Sequence, residues 1–458
     1  MKIIILGASQ VGRSICDVLV SEDNDVTVVD LDGAALTKLL DQFDIRTVQG
    51  NAAYPAILSD AGAEDADIII AVTNSDEINM LACQIAAIKF GTPTKIARIR
   101  SNQYRDSKDL FHDKGLTIDV VISPEAILTN HISRLVDHPG AFQVLDFAGG
   151  TVQLVGVKAY HDGPLVGSPL RDLKKHMPNI ETRVAAIYRR NQIIKPKGHT
   201  IIKPDDEVFF VAARKHIRRV MGEMCRMDIK VKRILLAGGG NIGLSLARTL
   251  ESNGYSVKII EQNKSRAEVI AGELNNVVVL NGDAADADLL LQENIESIDA
   301  FIAVTESDEV NILAAMVAKR MGAKRVMALV NRSVYLEKLE HNDIDIVIAP
   351  REITVGTILA HIRQGDVEAV HSLRRGRAEA IEAVAHGDET SSKVVGQYIR
   401  DLPLPEGTGI GAIVRNKQVV IPDRDEKIET EDHVILFMVD KSCIHKVESL
   451  FEVDVSFI

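Results

Sequence analysis

The chain has 458 residues, 46% of them hydrophobic, and a formal net charge of −12 at pH 7. At roughly 150 residues per domain, this length calls for about three domains, and the apolar fraction is enough for several cores. The acidic balance repels phosphate backbones, and with no Trp and 4% aromatic residues there is little to stack on bases, so no nucleic-acid partner is expected.

From the amino terminus, the chain enters a strand-like run at Lys2, with no charged, apolar and cleavage segments ahead of it. No apolar stretch approaches the roughly 18 residues that a spanning helix needs. A cytoplasmic protein is expected; if it acts at a membrane, another protein must supply the pore. Cys16, Cys83, Cys225 and Cys443 lie far apart and form no CxxC pair, so they read as small buried residues in a reducing compartment.

Strands are expected at 2–6, 26–30, 45–49, 67–72, 95–100 and 119–122. Between them Val11, Ile15, Val18 and Leu19 keep helical spacing, as do Ile78, Leu81, Ile85 and Ile88. Such alternation means βαβ units and a parallel sheet. Ser123-Pro124 then opens a connector helix, and turn-rich sequence follows (Asp162-Gly163-Pro164, Lys195-Pro196-Lys197-Gly198), as expected of a small α+β lobe built on hairpins. The charged stretch Asp228 to Lys232 is the expected linker.

Beyond it the pattern begins again. KIIILGASQVG, ending at Gly12, matches RILLAGGGNIG, ending at Gly243, 231 positions on. VTVVD, ending at Asp30, matches VKIIE, ending at Glu261, and AVTNSDE from Ala71 matches AVTESDE from Ala303. The small lobe repeats too: Leu170-Arg171-Asp172-Leu173 matches Ile399-Arg400-Asp401-Leu402, Arg189 matches Arg415, and Asp206 matches Asp432. The expected fold class is α/β, with two tandem Rossmann-like parallel-sheet domains, each followed by a small α+β lobe. The boundaries are 1–123, 124–140 (connector), 141–227, 231–350, 351–368 (connector) and 369–458.

In each copy a glycine motif follows a strand and opens a helix, and a carboxylate ends the next strand, 18 residues past the last glycine (Asp30, Glu261). Together these make the dinucleotide fingerprint. Gly7 or Gly238 turns the chain off the strand, and Gly12 or Gly243 lets helix and sheet approach. Between them, Ala8, Ser9, Gln10 and Val11, or Gly239, Gly240, Asn241 and Ile242, present backbone N–H groups to a pyrophosphate. Asp30 and Glu261 suit ribose hydroxyls and repel a 2′-phosphate, so NAD or NADH, or plain ATP or ADP, is favoured over NADP. Ser9 departs from the second glycine, so either the two sites differ in affinity or in preferred ligand, or the first motif is only a tight strand–helix turn.

Asn51 and Asp283 follow the third strands; Thr73-Asn74 and Thr305-Glu306 follow the fourth, where a ligand crevice opens. Arg98, on the fifth strand of the first copy, either meets a bound phosphate or pairs with Asp76. Gly7 to Ser14 has P-loop spacing, but Arg13 and, in the second copy, Leu244 replace the essential lysine. Tyr104…Lys108 has a dehydrogenase-like YxxxK spacing that Tyr335…Lys338 does not keep, so both read as solvated helix faces. His112, His131 and His138 show no ligand spacing. No metal site and no catalytic residue is assigned, and an NAD-dependent oxidoreductase is the alternative reading.

With LGASQVG and Asp30, AGGGNIGLSLA and Glu261, and the AVTNSDEIN and AVTESDEVN segments, the chain resembles the KTN or RCK domain family, which regulates potassium conductance, written twice over nearly its whole length. The resemblance implies a regulatory subunit that binds NAD(H) or adenine nucleotides. It also implies a membrane-embedded potassium channel or transporter as partner, peripheral placement on the inner face of the membrane, and a homo-oligomer, a tetrameric ring.

Overall fold

The computed structural model describes residues 1–22, 24–111, 115–190, 192–224, 230–339, 343–362, 366–373, 378–439 and 443–452. Cys225, His112, residues 228–229 of the expected linker and the boundary at Met227 lie outside them, as do the side chains of Lys108 and Lys338.

Six parallel strands make the first sheet: β1 (Lys2–Leu6), β2 (Asp25–Asp30), β3 (Arg46–Gln49), β4 (Ile68–Ala71), β5 (Thr94–Arg98) and β6 (Val120–Ile122), in the order β3-β2-β1-β4-β5-β6. The β1 and β4 runs Ile3 to Leu6 and Ile68 to Ala71 are buried throughout, because helices cover both faces. The order reverses between β1 and β4, and the crevice at that switch point is where such sheets bind ligands. Strands lie within two residues of those expected.

The helical spacing is less faithful. In the helix Asp76–Ile85 the buried face is Asn79, Met80, Ala82 and Cys83, whereas Leu81 is 51% exposed and Ile88, just beyond, 75%.

The first small lobe holds β7 (Ala141–Phe147), β8 (Val152–Lys158), β9 (Thr182–Arg189), β10 (Gln192–Ile194) and β11 (Glu207–Ala213), antiparallel in the order β10-β9-β11-β8-β7. The second copy repeats both sheets. Its parallel sheet is β12 (Arg233–Ala237), β13 (Ser256–Glu261), β14 (Val278–Asn281), β15 (Ala300–Ala303), β16 (Val326–Leu329) and β17 (Ile346–Ile348), in the order β14-β13-β12-β15-β16-β17. Its antiparallel sheet is β18 (Val367–Leu373), β19 (Ala378–Ala385), β20 (Thr408–Arg415), β21 (Gln418–Val420) and β22 (Asp432–Met438), in the order β18-β19-β22-β20-β21. Asn416 and Lys417, both at positive φ, make the two-residue turn between β20 and β21.

Two compact units divide the chain. One is residues 1–127 with 351–362. Here the helix that follows the second parallel sheet (Pro350–Ala360) joins the first, and Arg351 pairs with Asp17 at 2.5 Å. The other is residues 128–350 with 363–458. In it most of the helix Pro124–Asp137 docks on the second parallel sheet's lobe: Tyr255 Oη donates to Asp137 (2.5 Å), and the Arg325 guanidinium donates to the carbonyls of Leu135 (2.9 Å) and Ala141. The connectors are therefore exchanged between the copies. In this second unit the two antiparallel sheets share one core, in which Phe147, Leu154 and Phe209 meet Ala380, Ala412 and Phe437.

Candidate functional site

The first crevice is built on the turn after β1. Gly7 sits at φ +117°, and its N–H donates to the Val29 carbonyl at 2.8 Å. A Cβ there would lie 3.0 Å from the backbone of Val72 and Thr73, and one at Gly12 would lie 1.9 Å from the Gly7 carbonyl oxygen. Both glycines are thus steric requirements. Gly238 (φ +106°) and Gly243, whose Cβ would lie 2.0 Å from the Gly238 oxygen, repeat them. At Gly239 a Cβ would meet the Cδ1 end of the Ile270 side chain, at 2.2 Å, and the first copy has Ala8 in that place. At Gly240 a Cβ would meet nothing within 4 Å.

Ser9 and Gly240 precede the twelve-residue helices Gln10–Ser21 and Asn241–Ser252, which start with Gln10-Val11 and Asn241-Ile242. Neither helix has an acidic residue in its first turn or a side-chain cap. The helices Asp76–Ile85 and Asp308–Arg320 carry both. The positive ends of the first pair therefore stand uncompensated, which suits an anion. The Ser9 hydroxyl is buried without a hydrogen-bond partner.

Each carboxylate is tied to its glycine loop. Asp30 accepts from the N–H groups of Ala8 (2.6 Å) and Asp32 (2.8 Å), and Glu261 from those of Gly239 (2.7 Å) and Asn263 (2.8 Å). Each oxygen keeps a lone pair for a ribose hydroxyl. Arg266, which the sequence reading passed over, donates from Nε to the Gly239 carbonyl at 3.0 Å. Ala35 is its counterpart in the first copy.

Thr73 and Thr305 lie beside Gly7 and Gly238, but their hydroxyls donate inward, to Asn79 (2.6 Å) and Asn311 (2.7 Å). These two asparagines, both fully buried, also donate to the carbonyls of Arg98 and Leu329 at 2.9 Å, so they lock the ends of adjacent strands. Their signal was the Asn that closes AVTNSDEIN and AVTESDEVN. Asn74 and Glu306 are exposed beyond the threonines. Asn51 and Asp283 each accept a backbone N–H two residues on, at 2.9 Å, and shape the turns after β3 and β14.

Arg98 does not hydrogen-bond Asp76, which instead accepts from the N–H groups of Arg100 (2.9 Å) and Ser101 (2.8 Å). The Arg98 Nε is buried without a partner, and burial, then Arg100, holds its pKa below the usual guanidinium value. Tyr104 and Tyr335 donate to Glu77 (3.1 Å) and Glu309 (2.8 Å). Those bonds raise the phenol pKa values, opposite to what a proton-transferring Tyr needs.

Among the described residues one group could hold a metal: Glu368, Glu382 and His433, on β18, β19 and β22. His433 Nδ1 lies 2.6 Å from Glu382 and 3.5 Å from Glu368, so the three already pair with one another.

The TrkA-N domain model matches residues 3–124 and 234–350, and the TrkA-C domain model matches 154–224 and 389–452. The chain is 54% identical over 457 residues, covering all of both chains, to the Trk system potassium uptake protein TrkA of Halomonas elongata. In structure it resembles the GsuK RCK domain (TM-score 0.62, 18% identity, 98% of this chain and 95% of that one). It also resembles the GsuK channel bound to NAD (TM-score 0.61, 17% identity, 98% and 78%).

Proposed function

The chain belongs to the Trk system potassium uptake protein TrkA family, and on that premise we propose that it is the regulatory subunit of a potassium uptake system. It binds NAD(H) or an adenine nucleotide and acts on a membrane-embedded partner through a change of conformation. Gly7 to Gly12 and Gly238 to Gly243 hold the phosphates, and Asp30 and Glu261 hold a ribose. Asn51, Asn74, Asp283 and Glu306 line the rims of the two crevices, with Thr73 and Thr305 at their floors.

The observation that carries this reading is the bare helix start, found twice. Each helix offers N–H donors and no first-turn acid, and at Gly240 there is open space into which a ligand can approach the backbone closely. The oxidoreductase alternative needs a proton donor over the crevice. The Thr73 and Thr305 hydroxyls at its floor are committed to Asn79 and Asn311, and Ser9, whose hydroxyl is free in the first crevice, has glycine as its counterpart in the second.

No helix among the described residues is long and apolar enough to cross a membrane. Family membership supports a membrane-embedded partner that supplies the pore, with this subunit placed peripherally on its cytoplasmic side. Leu81 and Leu313, at matching places on duplicated helices, are 51% and 55% exposed, which leaves them open to a contact between copies in the tetrameric ring that completes this reading. Nucleotide binding gates only through different affinities for two states of that assembly, and such coupling is typically about 1–3 kcal/mol.

Calorimetric titration of the purified protein with NADH, NAD, ATP and ADP tests the reading. Asp30→Ala and Glu261→Ala are each expected to weaken one class of site by about 10- to 100-fold, the loss of a charged hydrogen bond. Absence of binding by all four ligands would sink it.

A further inference from the structure

Resting on that nucleotide-binding reading, we propose that the two crevices are specialised: the first takes a nucleoside triphosphate, and the second takes a reduced dinucleotide with an uncharged ring beyond its diphosphate.

The duplication lets each position be compared in the same backbone frame. Ala71 pairs with Ala97, and Ala303 with Ala328, so Arg98 and Leu329 occupy the same place at the end of the fifth strand. The equivalent asparagines bond both carbonyls at 2.9 Å. In the first sheet, Ala97 and Ile99 join the core beneath the helix Asp76–Ile85, while Ile5 touches the position of Gly12 on the other face. Since Ile5 registers with Ile70 and Ile70 with Ile96, alternation puts Arg98 on the face of the helix that starts at the glycine loop.

On that face the first crevice holds two buried donors without partners, the Arg98 Nε and the Ser9 Oγ; the carboxylates of Glu125 and Asp76 support the Arg98 charge without a hydrogen bond to its Nε. Buried donors are almost always paired, so both call for a group supplied from outside. The second crevice has neither: Leu329 is 3% exposed, and Gly240 leaves open space. Its added cation is Arg266, at the opposite, ribose end of the loop.

Positive charge therefore lies past the diphosphate in the first crevice and ahead of it in the second. A terminal phosphate satisfies a guanidinium and a hydroxyl. It would be stranded against Leu329, where a neutral nicotinamide ring is accepted instead. Nothing is transformed; the ligands are only bound.

The test is equilibrium titration of the full-length protein with ATP and with NADH, in wild type, Arg98→Leu and Arg98→Lys. Arg98→Leu copies the residue that the second lobe already tolerates. It is expected to weaken ATP binding by about 10- to 100-fold while NADH binding stays within about twofold, which also shows that the variant is folded. Arg98→Lys, which keeps the charge, should restore most of the ATP affinity. Unchanged ATP affinity in Arg98→Leu, or an equal loss for both ligands, overturns the specialisation and leaves nucleotide sensing intact. Failure of wild type to bind either ligand overturns both.

Discussion

At the residue scale, glycines with different duties separate stability from binding. Gly12→Ala drives a methyl to 1.9 Å from the Gly7 oxygen, so about 1–3 kcal/mol of stability should be lost and the thermal midpoint should fall. Gly240→Ala places its methyl in open space, at an ordinary extended backbone (φ −65°, ψ −170°). The midpoint should stay within about 1 °C of wild type, while NADH binding weakens. Equal melting losses for both variants would refute this division. These glycines and the two carboxylates were legible because chain-local spacing carries their geometry. Asn79 and Asn311 were not, because their task is to bridge strands that only the folded sheet makes neighbours. For the same reason, Thr73 and Thr305 read as ligand contacts before the inward donation of their hydroxyls was visible.

At the element scale, the repeated Arg and Asp of the small lobes turn out to brace the hairpin of each sheet. Arg189 clamps Asp206 at 2.8 and 2.7 Å, and Arg415 clamps Asp432 at 2.9 and 2.8 Å. Both aspartates are fully buried. The Arg415 guanidinium, held by Asp432 first and then by the nearby glutamates, is pushed well above its usual pKa. Arg415→Met strands a buried carboxylate and should cost about 3 kcal/mol, read as a lower urea midpoint; a loss under about 1 kcal/mol would show that the clamp is dispensable. The sequence match exposed the pair without its purpose, since neither residue sits in a periodic pattern. The strands of the first parallel sheet were predicted to within two residues, but Leu81 and Ile88, which keep helical spacing, are exposed. Periodicity reports that a helix has an apolar side, not whether this chain or another covers it.

At the scale of the molecule, burial in the second unit depresses two histidines: His131 and His371 are each held near about 4. His371 donates to the Asp146 carbonyl at 3.2 Å and sets its edge against Phe147, so it packs as a neutral ring. A base whose pKa falls on folding is charged in the unfolded chain first. Stability should thus be full above about 6.5 and drain away as pH drops toward about 4. Urea unfolding between pH 7 and pH 4.5 should show that slope, and His371→Asn should flatten it. An unchanged slope in the variant would remove His371 as its source. Duplication and sheet type were readable from spacing alone. The exchange of connector helices was not, because the apolar stripe of 124–137 is the same whichever lobe receives it.

That exchange changes the order of a reaction. A chain with one copy of the repeat could satisfy the docking of its connector only by meeting a second chain, and the clasp would loosen on dilution. With both copies on one polypeptide, Arg325 meets Leu135 and Arg351 meets Asp17 at any concentration. The swapped pairing becomes a property of the single molecule.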